Sequence, residues 1–372
     1  AERNIISGNT LAGIAVLAAD GTTIRSNIIG ANSTGTSAVP NGTGISLDSA
    51  TSSNIGGSTV NDGNLISGNT GAGIALMAAS NFNRIEGNLI GTKLDGTSAL
   101  GNGSHGISFP NGTSASNHIE GSGTPSNTIA FNGGAGISLF AGGNNNSISG
   151  NSIYSNAGLG IDLGTPGVTP NDSGDTDTGP NGLLNFPILL SLAGNTISGE
   201  LHIGVNANTN VEFFANATCD ASGNGEGEVF LGSQFITTNN SGFATFMFPY
   251  TPVAGKPVIT AVVINAETSD TSEFSACLTP ACPTISVLPP TLSNATTGTN
   301  FSQNITASGG TGAYSFAVTA GTLPGGLTLT PTGLLSGTPT QAGVFNFDIT
   351  ATDANFCTGK AGYSLVVTCP QI

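Results

Sequence analysis

The sequence predicts an all-β chain: a right-handed parallel β-helix of about six rungs, then two antiparallel β-sandwiches. Three observations predict it. A pattern Asn-x-[Ile/Leu], followed by Gly-Ile-x-[Val/Leu/Phe], recurs to Leu163, its first half at Asn4, Asn27, Asn64, Asn88, Asn127 and Asn151 and its second at Gly13, Gly44, Gly73, Gly106, Gly136 and Gly160. Beyond Leu163 longer alternating apolar runs replace that pattern. The composition suits both halves, because 56 Gly and only 7% charged residues imply many short strands and tight turns.

Within each rung a third apolar element follows, at Ile24, Ile55, Ile85, Ile119 and Ile148, mostly with Gly within two residues. Three strand-like pieces per period of roughly 30 residues make one coil of a parallel β-helix. Alternation predicts that Ile5, Ile14 or Val16, and Ile24 point inward and stack on their equivalents one rung away, at about 4.8 Å. The repeated Asn is expected to stack at a turn, where its side chain bonds neighbouring backbone and tolerates a left-handed conformation. Its role on this reading is structural. A helical solenoid is excluded, because Gly and β-branched residues stand where Ala, Leu, Glu and Lys would be needed.

Composition shifts divide the chain into a β-helix over 1–163, an acidic Gly/Pro linker over 164–182, a sandwich over 183–278, a second sandwich over 279–368, and the residues 369–372. The first sandwich is read from Asn210 to Phe214, Gly242 to Phe248 and Val258 to Val263. All five Cys lie in the sandwiches, with neither a Cys-x-x-Cys spacing nor a nearby His, which favours an oxidising extracellular compartment over metal. Counting strand reversals places Cys219 and Cys277 at one pole, and Cys282 and Cys357 at one pole of the second sandwich, so these two pairs are expected to be disulfides. Cys369 lies a strand length from the second pair, beyond disulfide reach.

The net charge of −15 arises from a scarcity of bases: Arg3, Arg25, Arg84, Lys93, Lys256 and Lys360 are the only Lys and Arg. Phosphate neutralisation needs clustered bases, so nucleic acid is excluded as a partner. No apolar run is long enough to span a bilayer. Cys369-Pro370-Gln371-Ile372 echoes Cys282-Pro283-Thr284-Ile285, and the chain opens inside a rung at Asn4-Ile5-Ile6. Both ends are therefore expected to be cuts from a longer array, or joints completed by a neighbouring subunit.

Residues 1–163, through Asn64-Leu65-Ile66-Ser67-Gly68-Asn69 and Gly71-Ala72-Gly73-Ile74, resemble the right-handed parallel β-helix repeat proteins secreted by bacteria. The stretch from Asn171 to Asn181, with Phe213-Phe214-Ala215-Asn216 and Ser272-Glu273-Phe274-Ser275-Ala276-Cys277, resembles the domain that often follows such helices. Residues 283–367 are similar to the bacterial "putative-Ig" tandem repeats of large surface proteins, through Leu323-Pro324-Gly325-Gly326-Leu327-Thr328-Leu329 and the run from Gly333 to Thr340. The resemblance implies Ig-like sandwiches and an extracellular or cell-surface location. It identifies architecture rather than activity, since one fold serves many functions.

Catalytic signals are sparse. Carbohydrate chemistry needs paired carboxylates, and only Glu86 and Glu120, each following the third-element Ile, are placed to stack as a pair; Arg84 and His118 are likewise equivalent. The plain alternative is a solvated outer face with modest like-charge repulsion. His105, His118 and His202 have no Ser or Cys motif beside them. For metal, Asp172, Asp175 and Asp177 with Asn171 and Asn181 offer hard oxygen ligands in one loop, and Asp175-x-Asp177-x-Gly179 has calcium-loop spacing, against a plain acidic linker. No other cofactor is expected. These features predict an extracellular bacterial structural or adhesive protein that self-associates into filaments or binds a cell-surface or glycan ligand. The competing expectation is a secreted β-helix polysaccharide lyase, hydrolase or glycan binder.

Overall fold

The computed structural model describes residues 3–59, 61–121 and 126–370; Gln371 and Ile372, the end of the expected 369–372 segment, lie outside the described residues. The fold is all-β, in two compact units: the residues up to Thr279, and those from Pro280 onward. In the first unit three parallel sheets coil as a β-helix. One contains Asn4–Ile6, Asn27–Ile29, Leu65–Ile66, Leu89–Ile90, Thr128–Ala130 and Ser152–Tyr154. The second contains Ala12–Leu17, Thr43–Asp48, Ile74–Met77, Ile107–Ser108, Ile137–Leu139 and Ile161–Leu163. The third contains Thr23–Ile24, Asn54–Gly56, Arg84–Glu86, His118–Glu120 and Ser147–Ser149.

Register places like on like. Ile45, Ile74, Ile107, Ile137 and Ile161 form one inward column, and Ile24, Ile55, Ile85, Ile119 and Ile148 another, all within one apolar core. In the first sheet the expected inward residue is corrected by one position. Ile6 packs against the core with Ile29, Ile66, Ile90, Ile129 and Ile153, whereas Ile5 is 51% exposed. The outward positions Ile28 and Leu65 are nevertheless buried, in a satellite cluster with Ala31, Leu89 and Leu100. Two loops, closed by the Ala31 to Ala38 and Thr92 to Ala99 bridges, stack through Leu94 N–H to Gly35 C=O at 3.1 Å.

Polar stacks hold the corners. Asn4, Asn27, Asn64, Asn88, Asn127 and Asn151 form a ladder in which each Nδ2 donates to the next Oδ1 at 2.8–3.1 Å. Asn9, Asn41, Asn69, Asn102, Asn132 and Asn156 form a second, at 2.8–2.9 Å. Asn83, Asn117 and Asn146 form a third. Asn102 shows the satisfied state: its Oδ1 accepts from Asn69 N and Nδ2, and its Nδ2 donates to Asn132 Oδ1 and Ile66 C=O. The left-handed residue of these corners is the one before the ladder Asn, for example Gly68, Phe131 and Ser155 before Asn69, Asn132 and Asn156. The Gly-Ile glycine has a separate cause. A Cβ on Gly73 would meet Gly106 O at 2.6 Å and Asn102 Nδ2 at 2.9 Å.

The rest of the first unit is a sandwich. One sheet pairs Ile188–Ala193, Thr196–His202 and Phe243–Pro249, and the other pairs Val229–Thr237, Asn208–Asn216 and Val258–Asn265, all antiparallel. Ile197, Leu201, Val211, Phe213, Phe246 and Val263 are among the residues that fill it, and the Phe213 and Phe248 rings stack at 4.2 Å. Cys219 and Cys277 are joined, with Cα atoms 6.0 Å apart. The second unit is an Ig-like sandwich around Phe301, Leu335, Phe347, Ile349, Tyr363 and Leu365. Its long pair, Gly343–Thr352 with Thr358–Thr368, is antiparallel, while Ala295–Thr296 runs parallel to the latter's end. Cys282 and Cys357 are joined at a Cα separation of 5.2 Å; Cys369 is free and exposed.

Two outcomes follow from this construction. Asn102→Ala removes four side-chain hydrogen bonds from the buried ladder and leaves Asn69 N–H without its acceptor, and should cost about 2–3 kcal/mol, whereas Asn4→Ala should cost about 1 kcal/mol or less, both read from denaturant midpoints. Replacing Cys282 and Cys357 by Ala opens a link spanning 75 residues and should destabilise the second unit by about 2–5 kcal/mol, read as a lower melting temperature.

Candidate functional site

The distinctive chemistry of the first unit lies where the β-helix meets its sandwich. A solenoid end leaves unpaired strand edges and an open core. Here Phe214, Val262 and Phe274 of the sandwich join the solenoid core, so the apolar interior is continuous. The main chain also continues across the joint: Ile153 N–H donates to Gly227 C=O at 2.8 Å and Gly227 N–H to Ile153 C=O at 2.9 Å.

The remaining donors of the last rung meet side chains. Glu226 Oε1 accepts from Asn156 N and Nδ2 at 3.0 and 2.9 Å, taking the place of the next Asn in the second ladder. Asn181 Oδ1 accepts from Asn146 N at 3.1 Å and so terminates the third. Near the end of the first ladder, Glu212 accepts from Gly150 N at 2.9 Å and Ser149 Oγ at 2.6 Å. Glu273 accepts from Leu163 N and Thr169 N, both at 2.9 Å, and Thr271 Oγ1 accepts from Ile148 N. Burial of these glutamates, which disfavours the charged form, lifts the Glu226 and Glu273 carboxyls to about 7 and raises Glu212; the N–H donors oppose the shift only in part. In the sequence Glu212 and Glu273 lie within strand-like stretches, and the service of all three glutamates to the solenoid depends on docking, which no local pattern reveals.

The acidic connection has a different geometry. Carboxylate oxygens of Asp172, Asp175 and Asp177 lie within 4.8 Å of one another. Asp177 Oδ1 is buried without a hydrogen-bond partner. Burial pushes Asp175 up to about 6 and raises Asp177, while hydrogen bonds from Thr176 lower Asp172. Three clustered hard oxygen donors, one orphaned, fit a divalent cation of the calcium type. The other expected ligands, Asn171 and Asn181, bond elsewhere. Asn171 exchanges both side-chain bonds with the Phe186 backbone, and Asn181 is buried in the third ladder's end, donating to Asn146 C=O and Thr271 C=O.

Glu86 and Glu120 do occupy equivalent positions on neighbouring strands. They are not two free carboxylates. Arg84 reaches Glu86 at 2.7 Å and Glu120 at 3.1 Å, and His118 Nδ1 contacts Glu120 at 2.8 Å, so the expected like-charge repulsion is replaced by a compensated surface cluster. His105 accepts Ala135 N–H at Nδ1, which places its own proton on Nε2, and burial lowers its pKa. It lines a cleft of about 280 Å³ with Ser104, Ser108, Ser138 and Phe140. His202 lies beside Glu200 on the sandwich, remote in sequence from any Cys or Ser nucleophile motif.

Residues 283–368 match the family model described as "Putative Ig domain". No curated protein matches the chain. Among solved structures, fibronectin(III)-like modules of Clostridium thermocellum CbhA share 15% identity, covering 48% of this chain and 87% of theirs, at a TM-score of 0.20. Protocadherin gamma B2 extracellular cadherin domains 3–6 share 15% identity over 50% of this chain and 49% of theirs, at 0.22. Red sea bream transglutaminase shares 12% over 50% and 31%, at 0.24. Likeness at that level carries no argument. The Ig-like unit and the two disulfides fit an extracellular protein of adhesive or structural type. Among the described residues no helix is long and apolar enough to cross a membrane.

The surface cluster yields a direct check. Arg84→Ala should change stability by no more than about 1 kcal/mol at low salt, a difference that fades in denaturation curves taken at high ionic strength.

Proposed function

We propose that this chain is an extracellular bacterial structural or adhesive protein of a surface or matrix, in which a stiff β-helix is carried with Ig-like spacers. One observation supports this most: the solenoid and the first sandwich share a core and a hydrogen-bonded joint, so that force applied to either is borne by cooperative bonding rather than by a linker. Filament formation, by self-association of the chain, is the finer form of the proposal. Electron microscopy of the native protein should show regular filaments with an axial repeat close to one subunit; isolated particles at all concentrations would remove the filament form.

Calcium belongs to the same proposal, held by Asp172, Asp175 and Asp177 and stiffening the connection into the sandwich. Calorimetric titration with calcium should give a binding isotherm that Asp175→Asn abolishes, and a chelator should lower the melting temperature of native material and shorten its filaments. Absence of heat with calcium would eliminate the site.

The cleft beside His105 and Phe140 favours a second reading, a glycan binder or polysaccharide-active enzyme, because an aromatic face with hydroxyl-bearing neighbours suits a sugar ring. A panel of neutral and acidic glycans separates the two. Cleavage abolished by Glu86→Gln or Glu120→Gln would establish the enzyme, and inactivity with surface binding would favour the adhesin.

A further inference from the structure

We propose that the first sandwich is a proton-dependent cap on the solenoid, gripping the terminal rung through Glu212, Glu226 and Glu273 and loosening as these carboxyls ionise. The geometry is that of three buried acids, distributed over the corners and edges of one rung, each facing only neutral donors from it. In the ladders the equivalent acceptor is an amide oxygen, uncharged at every pH. A protonated Glu226 reproduces that neutral acceptor, whereas a carboxylate in the same place buries a charge; Glu273 spends both oxygens on N–H donors, so its proton must share an oxygen with one of them. Glu226 uses Oε1 for both Asn156 donors, which leaves Oε2 to carry a proton; the Glu212 and Ser149 pair can reverse direction when Glu212 is protonated.

Among the described residues no cation pairs with these acids. Glu226 lies near Asp220 and shares a cavity with Glu228 and Tyr154, and Lys256 is paired with Glu228. Glu273 faces Asp162, itself raised by burial. Glu212 feels Glu120, which Arg84 and His118 already hold. Asp270, on the segment leading to Thr271, accepts from Asn145 N and adds another acid. Every charged neighbour not already paired thus opposes ionisation.

The sign follows from linkage. A glutamate freed to solvent titrates near 4.5, while burial raises Glu226 and Glu273 to about 7. The docked state therefore binds more protons between these values. Its extra stability is full below about 4.5 and is lost as pH rises through 7, with docking weakening by roughly tenfold per pH unit for each carboxyl that must stay protonated.

Amide hydrogen exchange on the full chain tests this, corrected for intrinsic rates between pH 5 and 8. Protection of Gly150, Asn156 and Leu163 should fall by at least about tenfold per pH unit between pH 5 and about 6.5 and level off above about 7, while Ile74 and Ile107 inside the solenoid hold theirs. In Glu226→Gln combined with Glu273→Gln, whose side chains stay neutral, the slope should shrink to what Glu212 alone supplies. Flat or rising protection in the native chain would overturn the proposal, as would an undiminished slope in the variant. Should the variant fail to fold, ¹³C carboxyl titration of the native chain decides: midpoints near 4.5 for the three glutamates overturn the cap, and midpoints near 7 for Glu226 and Glu273 sustain it.

Discussion

A coil that turns three corners per rung must bury polar backbone at each, and the first unit depends on supplying those groups with partners. Water cannot reach them, so every donor left over carries the full desolvation penalty. Asparagine answers this demand because one side chain presents an acceptor to the rung before it, one donor to the rung after, and its other donor to a backbone carbonyl of the rung before. Apolar stacking then fills the interior that the corners enclose. The glycines of the Gly-Ile pairs from Gly13 to Gly136 belong to the same constraint, since a Cβ there would collide with the ladder and with the backbone of the next rung; at Gly160 it would meet Phe274 of the sandwich instead.

The ladders also set the terms on which the solenoid can stop. A last rung ends in donors, so the element that follows must be rich in acceptors and must cover an apolar cross-section. The first sandwich provides both with Phe214, Val262 and Phe274 for the core and with Glu212, Glu226, Glu273, Thr271 and the incoming Asn181 for the donors. Its own core is a separate apolar cluster. The second unit uses the ordinary sandwich solution, a closed apolar core with one disulfide between Cys282 and Cys357.

Much of this was legible in the sequence. Regular recurrence of Asn and Gly-Ile exposed the rungs, and longer alternating strands exposed the sandwiches. The phase of the first strand was not, because Asn4-Ile5-Ile6 is apolar on both faces and its counterparts Ile28 and Leu65 are buried on the outer side by loops. The second and third ladders are hidden among many other Asn residues, at spacings that loop length varies from 24 residues between Asn132 and Asn156 to 34 between Asn83 and Asn117. At the acidic connection, clustered aspartates were recognisable, but Asn171 and Asn181 were drawn into backbone bridging and ladder termination, roles that depend on contacts distant in sequence. The glutamates of the joint carry no local signature at all.

The ladders run one way. Every amide hydrogen passed between corner asparagines is handed from the earlier rung to the later, so the solenoid has a donating face and an accepting face that cannot be exchanged. Turning a block of rungs end for end would set oxygen against oxygen at one seam and hydrogen against hydrogen at the other. Duplication of rungs in tandem preserves the sense, and inversion never does. The length of such a protein is therefore free to vary by whole coils, while its direction is as firmly set as that of the polypeptide itself.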